Sequence, residues 1–319
     1  MEASLSFWAA ILDPDFEPEY RESSTKGMKY IPEGHWELTS THVEYVDYDE
    51  VDYCSTSWSQ GSPYNIYAPY KTDGSNQHAY AGCTAVAGAQ MLYCLYLKHG
   101  SPSTIPTSAS ISGYINNYSL SFGNYSSSGW TSIANGNTSA VAVLLAYLGN
   151  LLPNHWENDG TGAYFTDLRD NVFSLFDYNC VVSSYVSSTI LAAMQQLQLP
   201  VVMSAHDDVF YILGIPIFWR STGHSFLIDR YKRMQTKTTY VYEWVYDVLP
   251  PGGIAPIVDP RIEEVYGSPY VSNYIGMNWG WGAYYNNTWY AADGNWNAGG
   301  YDFDYERKMM TGFYYNHLP

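Results

Sequence analysis

Ala81-Gly82-Cys83-Thr84-Ala85-Val86-Ala87-Gly88-Ala89-Gln90 opens a run that continues as Met91-Leu92-Tyr93-Cys94-Leu95-Tyr96-Leu97. After Cys83 the run is apolar on almost every side, and Ala, Leu and Met supply the helical preference. A helix apolar all round belongs inside a core. The polar stretch from Asp73 to His78 precedes it, Gly82 gives it a flexible start, and Gly100 with Pro102 closes it. Cys83 is therefore expected in the first turn. Unpaired backbone N–H groups and the helix dipole favour an anion there and push a thiol towards thiolate. A cysteine taken alone is more often a buried structural residue, so its meaning depends on the rest of the chain.

Upstream, residues 1 to about 50 hold a dense acidic load with little periodicity, including Glu33, Glu37, Glu44, Asp47, Asp49 and Glu50. They read as an extended appendage, partly strand. Trp58 to Asn65 is turn-rich, and Ser101 to Asn137 is an irregular Ser/Asn/Gly/Tyr-rich excursion. Helices are predicted over 139–152, where Val141, Leu144, Leu145 and Leu148 recur at helical spacing, and over 167–176 and 188–198. From Pro200 the character changes to strands. Those are 201–203, 223–229, the hairpin-like arm 238–248, 276–282, 287–291 and 309–315. Alternation places His224, Phe226 and Ile228 on one face. Helices followed by sheet indicate an α+β fold, with two layers meeting at a cleft.

The length, 319 residues, allows one large domain or two. A net charge of −17 argues against nucleic acid or an anionic membrane as partner. No apolar run approaches 18 residues, so no membrane span is expected. Phe7 to Leu12 is too short for a signal peptide. Few charges beside 33 tyrosines and 11 tryptophans suit a β-rich extracellular protein. Cys54, Cys83, Cys94 and Cys180 lack C-x-x-C spacing, which argues against a zinc or dithiol site. A free Cys83 leaves three cysteines and at most one disulfide. The histidines form no H-E-x-x-H, so no metal is expected.

A thiolate nucleophile needs a base that takes its proton and later protonates the leaving group, usually a His fixed by a third group. His224 starts an otherwise apolar strand face after Gly223, which places its ring at the sheet edge near solvent. Asn278-Trp279-Gly280-Trp281-Gly282 supplies the third group. The Asn278 oxygen accepts from the imidazole, and the following Trp shields that bond from water.

Gly82–Gln90, Gly223–Asp229 (G-H-S-F-L-I-D) and Asn278–Gly282, together with Q-G-S-P-Y-N at Gln60–Asn65 and L-P-V at Leu199–Val201, resemble the streptopain-type cysteine peptidases of family C10. The closing Tyr301–Tyr305 and Met310-Thr311-Gly312 fit the same pattern, so the resemblance runs from about residue 51 to the end. It implies a papain-like fold, with a helical part followed by an antiparallel sheet and an active site in the cleft between them. It also implies Cys83 as nucleophile, His224 as base and acid, Asn278 as orienting group and Trp279 as its shield. The oxyanion would be held by the Cys83 N–H with help from Gln60. Ser204 and Trp281 would line the substrate cleft.

About fifty residues separate His224 from Asn278, where the family has a short connection. The segment 231–274 therefore reads as an inserted hairpin. The apolar loop 205–222 reads as a lid over the cleft, with a buried hairpin as the alternative. The expected organisation is an acidic segment 1–50, a propeptide remnant that restrains activity, followed by a catalytic domain over 51–319. The expected function is a secreted or cell-surface endopeptidase acting on protein or peptide substrates, a reading that calls for no organic cofactor. Acyl transfer on the same scaffold, or a silent aromatic-rich binding module, are the alternatives.

Overall fold

The structure is a computed structural model that describes residues 33–100, 108–112, 117–121, 128–153, 156, 162–207, 210–212, 215–217, 223–248 and 257–315. Four helices stand out: α1 (Cys83–His99), α2 (Ser128–Ala134), α3 (Thr138–Leu151) and α4 (Ser187–Leu197). Three of them start and stop within a residue of the periodicity-based expectation. Asn137 caps α3 by accepting from the Ala140 N–H at 3.2 Å. The expected helix at 167–176 is instead a succession of short α, π and 3₁₀ turns over Phe165–Phe176. Phe165, Leu168, Val172, Phe173 and Phe176 are all buried, and that crowding takes precedence over regular helical geometry.

The sheet strands are β1 (Gly34–Asp52), β2 (Tyr178–Ser184), β3 (Val201–His206), β4 (Gly223–Tyr246), β5 (Arg261–Tyr266), β6 (Tyr270–Asn278), β7 (Trp289–Ala291) and β8 (Tyr305–Tyr315). Their order is β7-β6-β4-β3-β8-β2, with β1 and β5 also pairing with β4. The sheet separates two cores, and strand alternation assigns residues between them. Leu227 and Val202 join the side occupied by α1 and α3, with Leu92, Leu95, Leu144 and Leu148. Their neighbours Phe226, Ile228 and Met203 join the other side, with Met277, Trp279, Trp296 and Phe303. The α+β reading of the sequence, helices followed by an antiparallel sheet, is the architecture observed.

The strands depart from expectation as well, and the one expected over 276–282 ends at Asn278. The segments 223–229 and 238–248 are not separate strands but parts of the 24-residue β4. Arg230, Lys232 and Arg233 interrupt the apolar pattern, yet the strand continues because β1 brings matching acids. Lys232 Nζ lies 2.9 Å from Asp47, and Arg233 Nε donates to Asp49 at 2.6 Å. The described part of the acidic segment is accordingly one long strand, Gly34–Asp52, that runs past the expected boundary at residue 50. Strand β2 had no clear signal in the sequence, whereas β5 pairs with β4 as the second arm of the hairpin expected within 231–274.

The chain forms two compact units. One comprises residues up to Val46 with Gln235–Pro269; Trp36 meets Trp244 edge-on there at 5.4 Å, and Lys237 pairs with Glu264 at 2.7 Å. The other comprises Asp47–Met234 with Tyr270–Pro319 and holds both cores. Among the described residues, no helix is long and apolar enough to cross a membrane. In the loop 205–222 the backbone of a hairpin, Phe210–Ile212 with Ile215–Ile217, is described. Ala205 and His206 of the expected loop belong to β3 instead; the hairpin's side chains and residues 208–209, 213–214 and 218–222 lie outside the described residues, and with them the expected lid.

Candidate active site

Cys83 is the first residue of α1. Gly82 before it has φ 89°, a left-handed conformation that suits glycine. Gly82 offers no capping side chain and no acid stands in the first turn, so the first N–H groups of the helix are left without a side-chain cap. Thr84 ties the end to the sheet: its hydroxyl is 3.2 Å from that of Ser225 on β4. The strand thereby brings His224 up to the Cys83 thiol. Burial pushes that thiol up. The charge and hydrogen bond of His224, the Ser225 main chain and the Thr84 hydroxyl outweigh burial and lower it to about 7.

His224 is buried rather than near solvent. Its ring is enclosed by Trp281 at 4.7 Å, Phe303 at 5.6 Å, and Phe226 and Trp279 both at 6.1 Å. Its Nε2 lies 2.7 Å from the Trp279 carbonyl oxygen. A carbonyl only accepts, so Nε2 carries the proton and Nδ1 remains for the thiol.

The group that holds the imidazole is therefore the main chain of Trp279, not the side chain of Asn278 as expected. Asn278 is buried and its amide is committed elsewhere. Its Oδ1 accepts from Gln90 Nε2 at 2.8 Å, and its Nδ2 donates to the Thr56 carbonyl at 2.6 Å. The turn that aims the Trp279 carbonyl depends on Gly280, at φ 67°. A Cβ there would come within 2.8 Å of Val86 in α1.

The remaining candidates gather around this pair. The Gln60 carbonyl accepts from the Ala81 N–H at 2.8 Å, two residues before Cys83. Its neighbour Ser59 pairs with Trp281, so one short segment touches both the approach to Cys83 and the tryptophan turn. Ser204 lies opposite Ser225 on β3, while His224 lies opposite Ala205. Ser204 thus shares the α1 side of the sheet with Ser225. Cys54 and Cys94 form a disulfide, leaving Cys83 and Cys180 free. Burial pushes the Cys180 thiol up to about 12.

Thr84, Ser225, Gln90 and Thr56 were not singled out as site residues in the sequence. The first two had a signal in their position directly after Cys83 and His224. Gln90 closed the helical motif without a role. Thr56 had no signal, because its part depends on a fold that brings residue 56 to residue 278.

The Peptidase C10 family model matches residues 58–290, more than two thirds of the chain. This chain belongs to the peptidase C10 family. It is a cysteine-type peptidase. Active wild-type interpain A cysteine protease of Prevotella intermedia is similar in structure, with a TM-score of 0.53 and 21% identity over 83% of this chain and 98% of that one. A mutant prointerpain A fragment of the same organism gives a TM-score of 0.48 and 19% identity, over 87% of this chain and 77% of the fragment. No curated protein matches the chain. At 21% identity the likeness to active interpain A shows the fold alone, and for this C10 peptidase that fold is papain-like.

Proposed function

We propose that this C10 peptidase hydrolyses internal peptide bonds with Cys83 as nucleophile and His224 as base and acid. His224 Nδ1 takes the thiol proton, and the thiolate attacks the scissile carbonyl carbon. The oxyanion is received by the Cys83 N–H, with the Gln60 side chain as second donor. The imidazolium then protonates the departing amine, leaving a thioacyl-enzyme. Water, deprotonated by His224, attacks the thioester and releases the acid and the thiol. Trp279 holds and shields the ring, Asn278 holds the turn, and Trp281 and Ser204 line the substrate cleft.

The observation that carries this reading is a thiol at an uncapped helix N-terminus beside an imidazole whose far nitrogen is already held. The test is limiting iodoacetamide at mildly acidic pH on the native protein. Cys83 should be carboxymethylated first, with Cys180 spared, and Cys83→Ala should abolish peptide hydrolysis. Equal labelling of Cys180 would remove the assignment.

The Cys54–Cys94 disulfide favours an oxidising compartment, in keeping with secretion or a cell-surface location. The acidic segment 1–50 is the part of the chain that restrains activity in this reading, and its stretch from Gly34 onward is held in the sheet.

A further inference from the structure

Gln90 is fully buried in the middle of α1, two helical turns beyond Cys83. Its Nε2 donates to the Thr56 hydroxyl and to Asn278 Oδ1, both at 2.8 Å. Its Oε1 has no hydrogen-bond partner among the described residues. A buried amide left half satisfied lowers stability, and Met or Leu would fill the same space without that penalty. The amide is explained by what its two N–H bonds hold.

Main-chain groups fix the direction of those bonds. The Gly280 N–H donates to Asn278 Oδ1 at 3.3 Å, and Asn278 Nδ2 donates to the Thr56 carbonyl at 2.6 Å. A backbone N–H only donates and a carbonyl only accepts, so the Asn278 amide has one orientation. Gln90 must therefore present its NH₂. The bonds run from Gln90 through Asn278 to Gly280 and enclose Trp279, whose carbonyl meets His224 Nε2. On the other side, the Thr56 N–H donates to the Cys54 carbonyl at 2.7 Å, and Cys54 is joined to Cys94, one turn beyond Gln90. One face of α1 thus grips the segment 54–56 twice, once covalently and once through Gln90.

We propose that Gln90, acting with Thr56, is a positioning residue of the peptidase: it holds the Asn278–Gly280 turn and through it sets the Trp279 carbonyl against which His224 is aimed. The proposal rests on the Cys83–His224 reading above. Without Gln90 the turn relaxes and the imidazole loses its fixed acceptor. Peptide binding is untouched, so the loss falls on kcat rather than KM. The pairing of imidazolium with thiolate also weakens, so Cys83 ionises at higher pH.

The test is Gln90→Met, which keeps volume and helical preference. Expected is a fall in kcat on the order of 10²-fold, as for other sub-ångström to ångström misplacements of reacting groups. KM should change little, and the pH profile of Cys83 alkylation should move to higher pH. An unchanged kcat and alkylation profile, even with a lower melting temperature, would reduce Gln90 to a packing role and overturn the proposal. Thr56→Val and Thr56→Ser provide a second arm that decides the matter if Gln90→Met does not fold. Val keeps the shape and should lower kcat, and Ser keeps the hydroxyl and should recover most of the loss; equal kcat in the two would equally overturn the proposal. Cys83→Ala separates the two readings. Residual hydrolysis there sinks the nucleophile assignment. An inactive Cys83→Ala beside a fully active Gln90→Met sinks only the positioning role.

Discussion

At the scale of single residues, the chemistry divides into groups that a side-chain change removes and groups that it does not. His224→Ala deletes the proposed proton carrier and should cost about 10²–10⁴-fold in kcat/KM. Asn278→Ala leaves the Trp279 carbonyl in the chain and only loosens its turn, so its loss in kcat should be smaller. Steady-state kinetics on one peptide would check the order, and a worse Asn278→Ala would exchange the two roles. The same division explains what was legible. Cys83 and His224 could be found because each residue type is uncommon and each follows a glycine at the start of an element. The acceptor of the imidazole proton could not, because every residue has a carbonyl and only the fold selects that of Trp279.

At the scale of elements, β4 carries the site and also an unusual buried acid. Asp229 is 3% exposed, with Arg230 Nε 3.5 Å from its Oδ1. Burial pushes its carboxyl up and Asp52 adds to this; Arg230 opposes them, leaving it at about 7. An unfolded chain releases this proton near pH 3.9. Between about pH 4 and 7 the folded protein therefore holds a proton that the unfolded one has lost, and this group's contribution to stability falls as pH rises through 7. Asp229→Asn, neutral throughout, should flatten that slope and melt higher than the parent at pH 8. Thermal melts at pH 5 and pH 8 would show it, and an unchanged difference between them would count against the assignment. The long strand itself was only half legible. Its apolar first half alternates as a strand should, whereas Arg230 to Arg233 read as an interruption until the acids of β1 are placed beside them.

At the scale of the whole molecule, the disulfide joins residues 40 apart in sequence. Closing a loop of that length removes about 4 kcal/mol of unfolded-state freedom on the chain-entropy model. Cys54→Ala with Cys94→Ala should lower unfolding stability by about that amount in denaturant titration, and an unchanged midpoint would place the stabilisation elsewhere. The sequence limited the chain to one disulfide but left the pairing open, since proximity of residue 54 to α1 is a product of tertiary packing. The pairing also imposes an order on the making of the molecule. Cys54, Cys83 and Cys94 emerge from the ribosome in that sequence, so Cys83 is within reach of Cys54 before Cys94 is, and an external disulfide oxidant acting at that stage would capture the proposed nucleophile. Release requires Cys94, as thiolate, to attack the Cys54 sulfur, forming the native bond and expelling Cys83 as thiolate with no net oxidation. A leaving thiolate departs faster as its pKa falls, and the N-terminus of α1 lowers it. Growth of the helix and correction of the cross-link thus favour each other. In oxidative refolding, Cys83→Ala should reach the Cys54–Cys94 bond sooner than the parent, because the detour through residue 83 is closed to it.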